Sequence, residues 1–269
     1  MKKTAGMSAA EIKEYRRGIL YMILPVASVI LLVVVWMLTS GSSDFPSPAQ
    51  VWARLIQLFH KPIKNLNIFG HVWASLKRIF LALLFDWTFG VAFGILIGWN
   101  KKFKAFFSPM FDAFRAVPPL AWIPLITLWF GIGEFPKILI VIFGSLASIV
   151  VNTQAGMSSV EQLYLDVGTV FHANSKQILF KIAIPSALDA IFAGVRTSTS
   201  AAWMVVLAAE MLGAKSGVGF LITRGMESID MPLVLLSMIS IGIVGAMLAI
   251  VTQYAERLVC PWTRRRKSF

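Results

Sequence analysis

From Ile19 to Leu38 the sequence carries no charged residue. A helix rising 1.5 Å per residue crosses the hydrocarbon core of a bilayer in about 20 mainly apolar residues, so this run is long enough to span a membrane. It is also too long for the apolar region of a cleaved signal peptide, about 7 to 15 residues before a small-residue cleavage site. Five more mainly apolar runs follow, from Ile79 to Trp99, Phe106 to Phe130, Phe135 to Thr153, Ala187 to Leu212 and Pro232 to Tyr254. The expected fold is therefore an all-α integral membrane protein with six transmembrane helices. Composition agrees, with 57% hydrophobic and 14% charged residues. An ordinary soluble domain carries roughly a quarter charged residues, and a disordered chain needs low hydrophobicity.

The basic excess, a formal net charge of +12, could signal nucleic acid, an anionic substrate or membrane topology. Position decides among these. Lys2, Lys3, Lys13, Arg16 and Arg17 precede the first run, and Arg264, Arg265, Arg266 and Lys267 follow the last. Basic residues mark cytoplasmic segments, and six crossings return the chain to its starting side, so both termini read as cytoplasmic. Lys101, Lys102 and Lys104, then Lys176 and Lys181, fall on that side too. Topology accounts for most of the charge, and no nucleic-acid partner is needed. The expected organisation is a basic N-terminus over 1–18, a membrane domain over 19–256 and a basic tail over 257–269. A turn-rich linker around Phe45-Pro46-Ser47-Pro48 leads into an amphipathic surface helix from Ala49 to Phe59.

Catalytic and metal chemistry find no support. Cys260 is the single cysteine, and His60, His71 and His172 lack metal-ligand spacing. No Gly-rich phosphate loop of the GxxxxGK[S/T] type is present, so any nucleotide binds on another chain.

The one long cytoplasmic loop, 158–185, reads as folded. Ser158 and Glu161 form a capping-box pattern, after which Val160, Leu163, Tyr164, Val167, Val170 and Phe171 recur every three or four residues. Asn174 or Ser175 can cap a second short helix carrying Ile178, Leu179 and Ile182, which Pro185 is expected to stop. Within this loop Asp166-Val167-Gly168, His172 and Ile182-Ala183-Ile184-Pro185 resemble the EAA loop of ABC importer permeases. Asp166 stands in place of glutamate, Val167 and Gly168 in place of alanines, His172 in place of the turn glycine and Ile184 in place of leucine.

Other segments extend the likeness from about Pro46 to Arg257. Arg115 to Leu125, with Pro118, Pro119, Trp122 and Pro124, and Leu128-Trp129-Phe130-Gly131-Ile132-Gly133 resemble the permeases for nitrate, sulfonate, taurine and bicarbonate. So do Ala209-Glu210-Met211-Leu212 and Ser216-Gly217-Val218-Gly219. The resemblance implies a type I importer permease fold in a bacterial inner membrane, two permease copies around the pathway, and two ATPase subunits. An extracytoplasmic binding protein would deliver the cargo. It further implies that this chain binds no cofactor, that ATP is used by the partner, and that 158–185 supplies a coupling helix. The cargo would be a small anion such as a sulfonate, taurine, nitrate or bicarbonate. Related permeases carry vitamin precursors such as pyrimidines or flavins, which stays open, and an ion-coupled secondary transporter is the rival class.

Physical chemistry adds detail to those segments. An apolar strip with Asp166 on the exposed run suits docking into a groove, against the alternative of a helix lying on lipid headgroups. The turn glycine would permit a positive φ, so either His172 adopts it or the turn moves to Asn174. Pro118, Pro119 and Pro124 cannot donate backbone hydrogen bonds and must break or kink the third run. Irregular backbone in a membrane should face protein or a water-filled path, which makes Pro118, Pro119, Trp122 and Pro124 candidate pathway residues, with packing the alternative. Asp86, Arg196 and Glu210 are charges inside spans and need partners or a cavity. Arg196 is expected to pair with Asp86, or else to attract an anion. Gly90, Gly94 and Gly98 form a smooth strip where another helix can approach.

Overall fold

The computed structural model describes residues 9–40 and 45–261. The N-terminal residues 1–8, with Lys2 and Lys3, and the tail residues 262–269, with Arg264 to Lys267, lie outside the described residues. Among the described residues there are ten helices: α1 (Ala9–Thr39), α2 (Pro48–His60), α3 (Ile68–Trp99), α4 (Lys101–Ala116), α5 (Ile123–Phe130), α6 (Glu134–Ser158), α7 (Gln162–Val170), α8 (Ser175–Met211), α9 (Val218–Glu227) and α10 (Met231–Val259). No β-strand occurs among them, only a bridge between Ile63 and Leu66.

Each expected run falls on helix, and among the described residues four or five of the six expected spans meet the length and hydropathy of a crossing. Helices α3, α6, α8 and α10 meet the length and hydropathy of a span unaided. The third run is split: Lys101–Ala116 and Pro119–Phe130 are bent by 88° against each other, the geometry of a broken span or a re-entrant loop rather than one rod. Four helices, or five with the bent pair, thus qualify by length and composition, and α1 adds an apolar stretch at Ile23–Thr39. The break has the expected cause. Val117, before Pro118, is extended at φ −80°, ψ 121°, the conformation a following proline ring imposes. Pro119 and Pro124 then sit in the first turns of a short 3₁₀ segment (Pro119–Trp122) and of α5, where no backbone donor is needed.

The centre is built from α3, α6, α8 and α10. Ile79, Ala82 and Leu83 of α3, Val141 of α6, and Ala202, Trp203 and Val206 of α8 form one buried cluster. Gly90, Gly94 and Gly98 lie against α6: a Cβ on Gly94 would sit 2.7 Å from Thr153 Cβ and 2.9 Å from the Val150 carbonyl oxygen. The strip is a helix-packing surface, as small residues at membrane helix contacts generally are.

Outward faces are apolar, with residues such as Phe80, Leu128, Met204 and Ile250 exposed. Amphipathic α2 begins with a Ser47–Gln50 capping box and Pro48 in its first turn. It buries Val51 and Leu58 against Leu221 of α9 and Leu233 and Leu236 of α10, and leaves Trp52 exposed.

Two local expectations are corrected. Ser158 does not cap the loop helix, because α6 continues through it; α7 starts after Glu161 with no side-chain cap. Nor does Pro185 stop the second helix. The backbone widens over Leu179–Ala183 into a π-turn, with the Ile184 N–H bonded five residues back to the Leu179 carbonyl. A proline lacks the N–H for the usual bond and crowds the carbonyl four residues earlier, and the wider turn accommodates both. The result is one continuous helix from Ser175 to Met211.

Candidate functional site: the coupling loop, the broken helix and a buried ion network

Helix α7 packs on the start of α8 through Gly168. A Cβ there would lie 2.7 Å from Ile182 Cδ1, so glycine lets the two helices close together. Two of the loop residues singled out in the sequence, Gly168 and Ile182, therefore form the joint. Asp166 and Val167 point away and are exposed, and the Asp166 carboxylate accepts a 2.9 Å bond from Gln162 Nε2. His172 occupies the left-handed region at φ 54°. Its N–H bonds the Thr169 carbonyl at 2.9 Å and the Ala173 N–H bonds the Gly168 carbonyl at 3.0 Å, the pair of bonds that closes a Schellman turn. The turn has not moved to Asn174, which instead caps α8 in a reciprocal pair with Gln177 at 2.8 and 2.9 Å. Pro185 is exposed beside Tyr164, Val167, Lys181 and Ile182 around a shallow groove. Leu163, Val167, Val170 and Phe171 present an exposed apolar face, with Phe171 80% exposed.

The four pathway candidates separate. Trp122 turns inward, its ring 5.8 Å from Phe114 and 5.4 Å from Phe143. Pro118 is exposed and Pro119 half-buried. Only Pro124 of the four lines a large cavity of about 820 Å³, together with Ile123, Thr127, Leu128, Lys137 and Leu212.

None of the three intramembrane charges pairs with another of the three. Arg196 does not reach Asp86; its Nη1 lies 2.9 Å from Glu256 Oε2 on α10. Asp86, at the π-turn Asp86–Gly90 of α3, instead accepts a short bond from Ser145 Oγ, and its Oδ1 has no hydrogen-bond partner among the described residues. Glu256 lies just past the last apolar run, Pro232 to Tyr254, and so falls outside the set of charges within spans.

Glu210 belongs to a network that the sequence does not reveal, because its partner Arg78 lies just ahead of the apolar run Ile79 to Trp99 and 132 residues away in the chain. Arg78 is 3% exposed and uses all five guanidinium donors. Nε and Nη2 clamp Glu134 at 2.6 and 2.9 Å. Nη1 reaches Glu210 at 2.6 Å and the Ser216 carbonyl at 2.9 Å, and Nη2 also reaches Ser216 Oγ at 2.9 Å. The other oxygen of Glu210 accepts from Ser75 Oγ at 2.9 Å and the Gly219 N–H at 3.0 Å. Ser75 and His71 receive the Val218 and Gly217 N–H groups. This explains the Ser216-Gly217-Val218-Gly219 motif: Gly217 has φ 118°, and a Cβ on it would strike the Glu210 carboxylate. The network ties the first turns of α3 and α6 to the last turn of α8, at the end opposite the coupling loop. The available signal was the pair Arg78 and Glu210, each close to an end of a long apolar run.

A bundle of apolar helices long enough to cross a bilayer, with an exposed two-helix loop at one end and a satisfied ionic knot at the other, marks a membrane-embedded protein. The comparisons name the kind. The family described as "Binding-protein-dependent transport system inner membrane component" matches residues 90–265. The nitrate import permease protein NrtB of Synechocystis sp. is 33% identical, over 88% of this chain and 89% of that protein. The taurine transport system permease protein TauC of Escherichia coli is 32% identical, over 81% and 79%. A chain of the inward-facing MetNI methionine ABC transporter shares the fold, with a TM-score of 0.63 at 18% identity, covering 70% of this chain and 94% of that one. The chain belongs to the family of inner membrane components of binding-protein-dependent transport systems.

Proposed function

We propose that this chain is the permease of an ATP-driven importer for a small anion, such as a sulfonate, taurine, nitrate or bicarbonate, and that separate ATPase subunits grip its 158–185 loop. Both termini lie in the cytoplasm of a bacterial inner membrane, a second copy completes the pathway, and an extracytoplasmic binding protein delivers the cargo. The chain itself hydrolyses no ATP and holds no cofactor. The observation that carries this reading is the exposed apolar face of Leu163, Val167, Val170 and Phe171, on a helix locked to α8 through Gly168. Such a face gains most by entering a groove on a protein, and Asp166 beside it can fix the register electrostatically. Because α8 is unbroken, a push on the loop reaches Glu210 along one rod of 37 residues, about 55 Å at helical rise.

Co-purification of the full-length chain with its ATPase subunit tests the assignment. Val170→Asp, Phe171→Asp and Asp166→Lys are each expected to weaken association at least tenfold, while His172→Gly retains it. Undiminished association in the aspartate variants would refute the docking face.

A further inference from the structure

An open cavity of about 820 Å³ lies between α5, the start of α6 and the end of α8, and its lining is almost wholly apolar. Its floor is the buried pair Ile140 and Ala209, Leu128 and Leu212 form its exposed outer edge, and its one charged side chain is Lys137, 6% exposed. Ligand pockets of about 300 to 1,000 Å³ are typically built this way, an apolar wall with few fixed polar groups. Lys137 has three N–H donors, and the one ion pair it makes is to Glu134 Oε1 at 3.1 Å. That carboxylate is already held by both arms of the Arg78 clamp. Lys137 therefore shares an acceptor rather than owning one, and an anion in the cavity can take its remaining donors without stranding Glu134. Thr127 also lines the cavity, and α6 starts just after Gly133, which provides no side-chain cap, with Glu134 already supplying a negative charge to that first turn.

We propose that this cavity is an organic-anion site in the permease itself, with Lys137 binding an anionic head and the apolar wall taking a hydrocarbon body. The inference deepens the importer reading and rests on it for its physiological role. It favours an organic anion such as an alkanesulfonate over nitrate or bicarbonate, which have no apolar body to offer the wall. An anionic lipid carries the same chemistry, so the test separates the two.

Binding is measured on the purified full chain in phosphatidylcholine nanodiscs, with hexanesulfonate, nitrate and hexanol as probes. Hexanesulfonate is expected to bind at least tenfold more tightly than either control. Lys137→Met should weaken it at least tenfold and Lys137→Arg should largely restore it. Ile132→Asp, an exposed change at the rim, should weaken it with no effect on folding and so covers the case in which Lys137→Met fails to fold. Nitrate binding as tight as hexanesulfonate, or indifference to both Lys137→Met and Ile132→Asp, overturns the proposal. Loss of the signal on replacing phosphatidylcholine with phosphatidylglycerol overturns it in favour of a lipid site. Because no ATPase is present in this assay, a failure of motor association leaves its result readable, and the two readings fail separately.

Discussion

Arg78 shows what a single buried charge requires. An isolated cation in low dielectric is costly, and here five donors meet five acceptors around a guanidinium that is itself buried, with Glu210 buried beside it and Glu134 open on its outer side. Removing one partner strands the other, so Arg78→Met is expected to destabilise the folded chain by about 3–5 kcal/mol through the orphaned Glu210. Arg78→Met combined with Glu210→Met should recover a large part of that loss; a melting temperature unchanged in the single variant would contradict the account. Cys260, just past α10, illustrates the opposite economy. Burial first, then the neighbouring Asp189 and Glu256 carboxylates, push its thiol up to about 11. A raised thiol pKa keeps the group protonated below that pH, so the reactive thiolate is scarce at pH 8. Maleimide should label it on the order of 100-fold more slowly than a free thiol, with the rate climbing towards pH 11. Labelling at the free-thiol rate at pH 8 would show the site to be open.

At the scale of elements, the apolar runs were legible because lipid imposes a length on them, and so was the broken helix at Pro118-Pro119, because a missing donor has one local consequence. Pro185 was misread for an instructive reason. The same missing donor, with a π-turn directly before it, is absorbed without ending α8. Ion pairing was the least legible feature: Arg196 finds Glu256, 60 residues away, and Arg78 finds Glu210, 132 away, pairings that depend on how helices meet. The glycine strip was legible as a contact, though not its partner α6. Gly94→Leu forces α3 off the Val150 backbone and should cost about 1–3 kcal/mol. Gly242→Leu, on α10 with open space around it, is the control and should be neutral or stabilising. Equal melting temperatures for the two variants would remove the close α3–α6 approach from the account.

For the whole molecule, the two ends of α8 carry different jobs. One is packed on the exposed helix α7, and the other is knotted to α3 and α6 through Arg78, Glu134 and Glu210. Packed interfaces of this kind switch between discrete arrangements rather than deforming, so movement of the loop is expected to shift the helices as rigid bodies and open the opposite side of the membrane. That transmission is the central claim. Its most direct measurement is solute uptake into sealed vesicles reconstituted with the purified chain, with and without ATPase subunits, ATP and binding protein. Accumulation should occur only with the full set and disappear in Phe171→Asp; accumulation driven by the chain alone would contradict it.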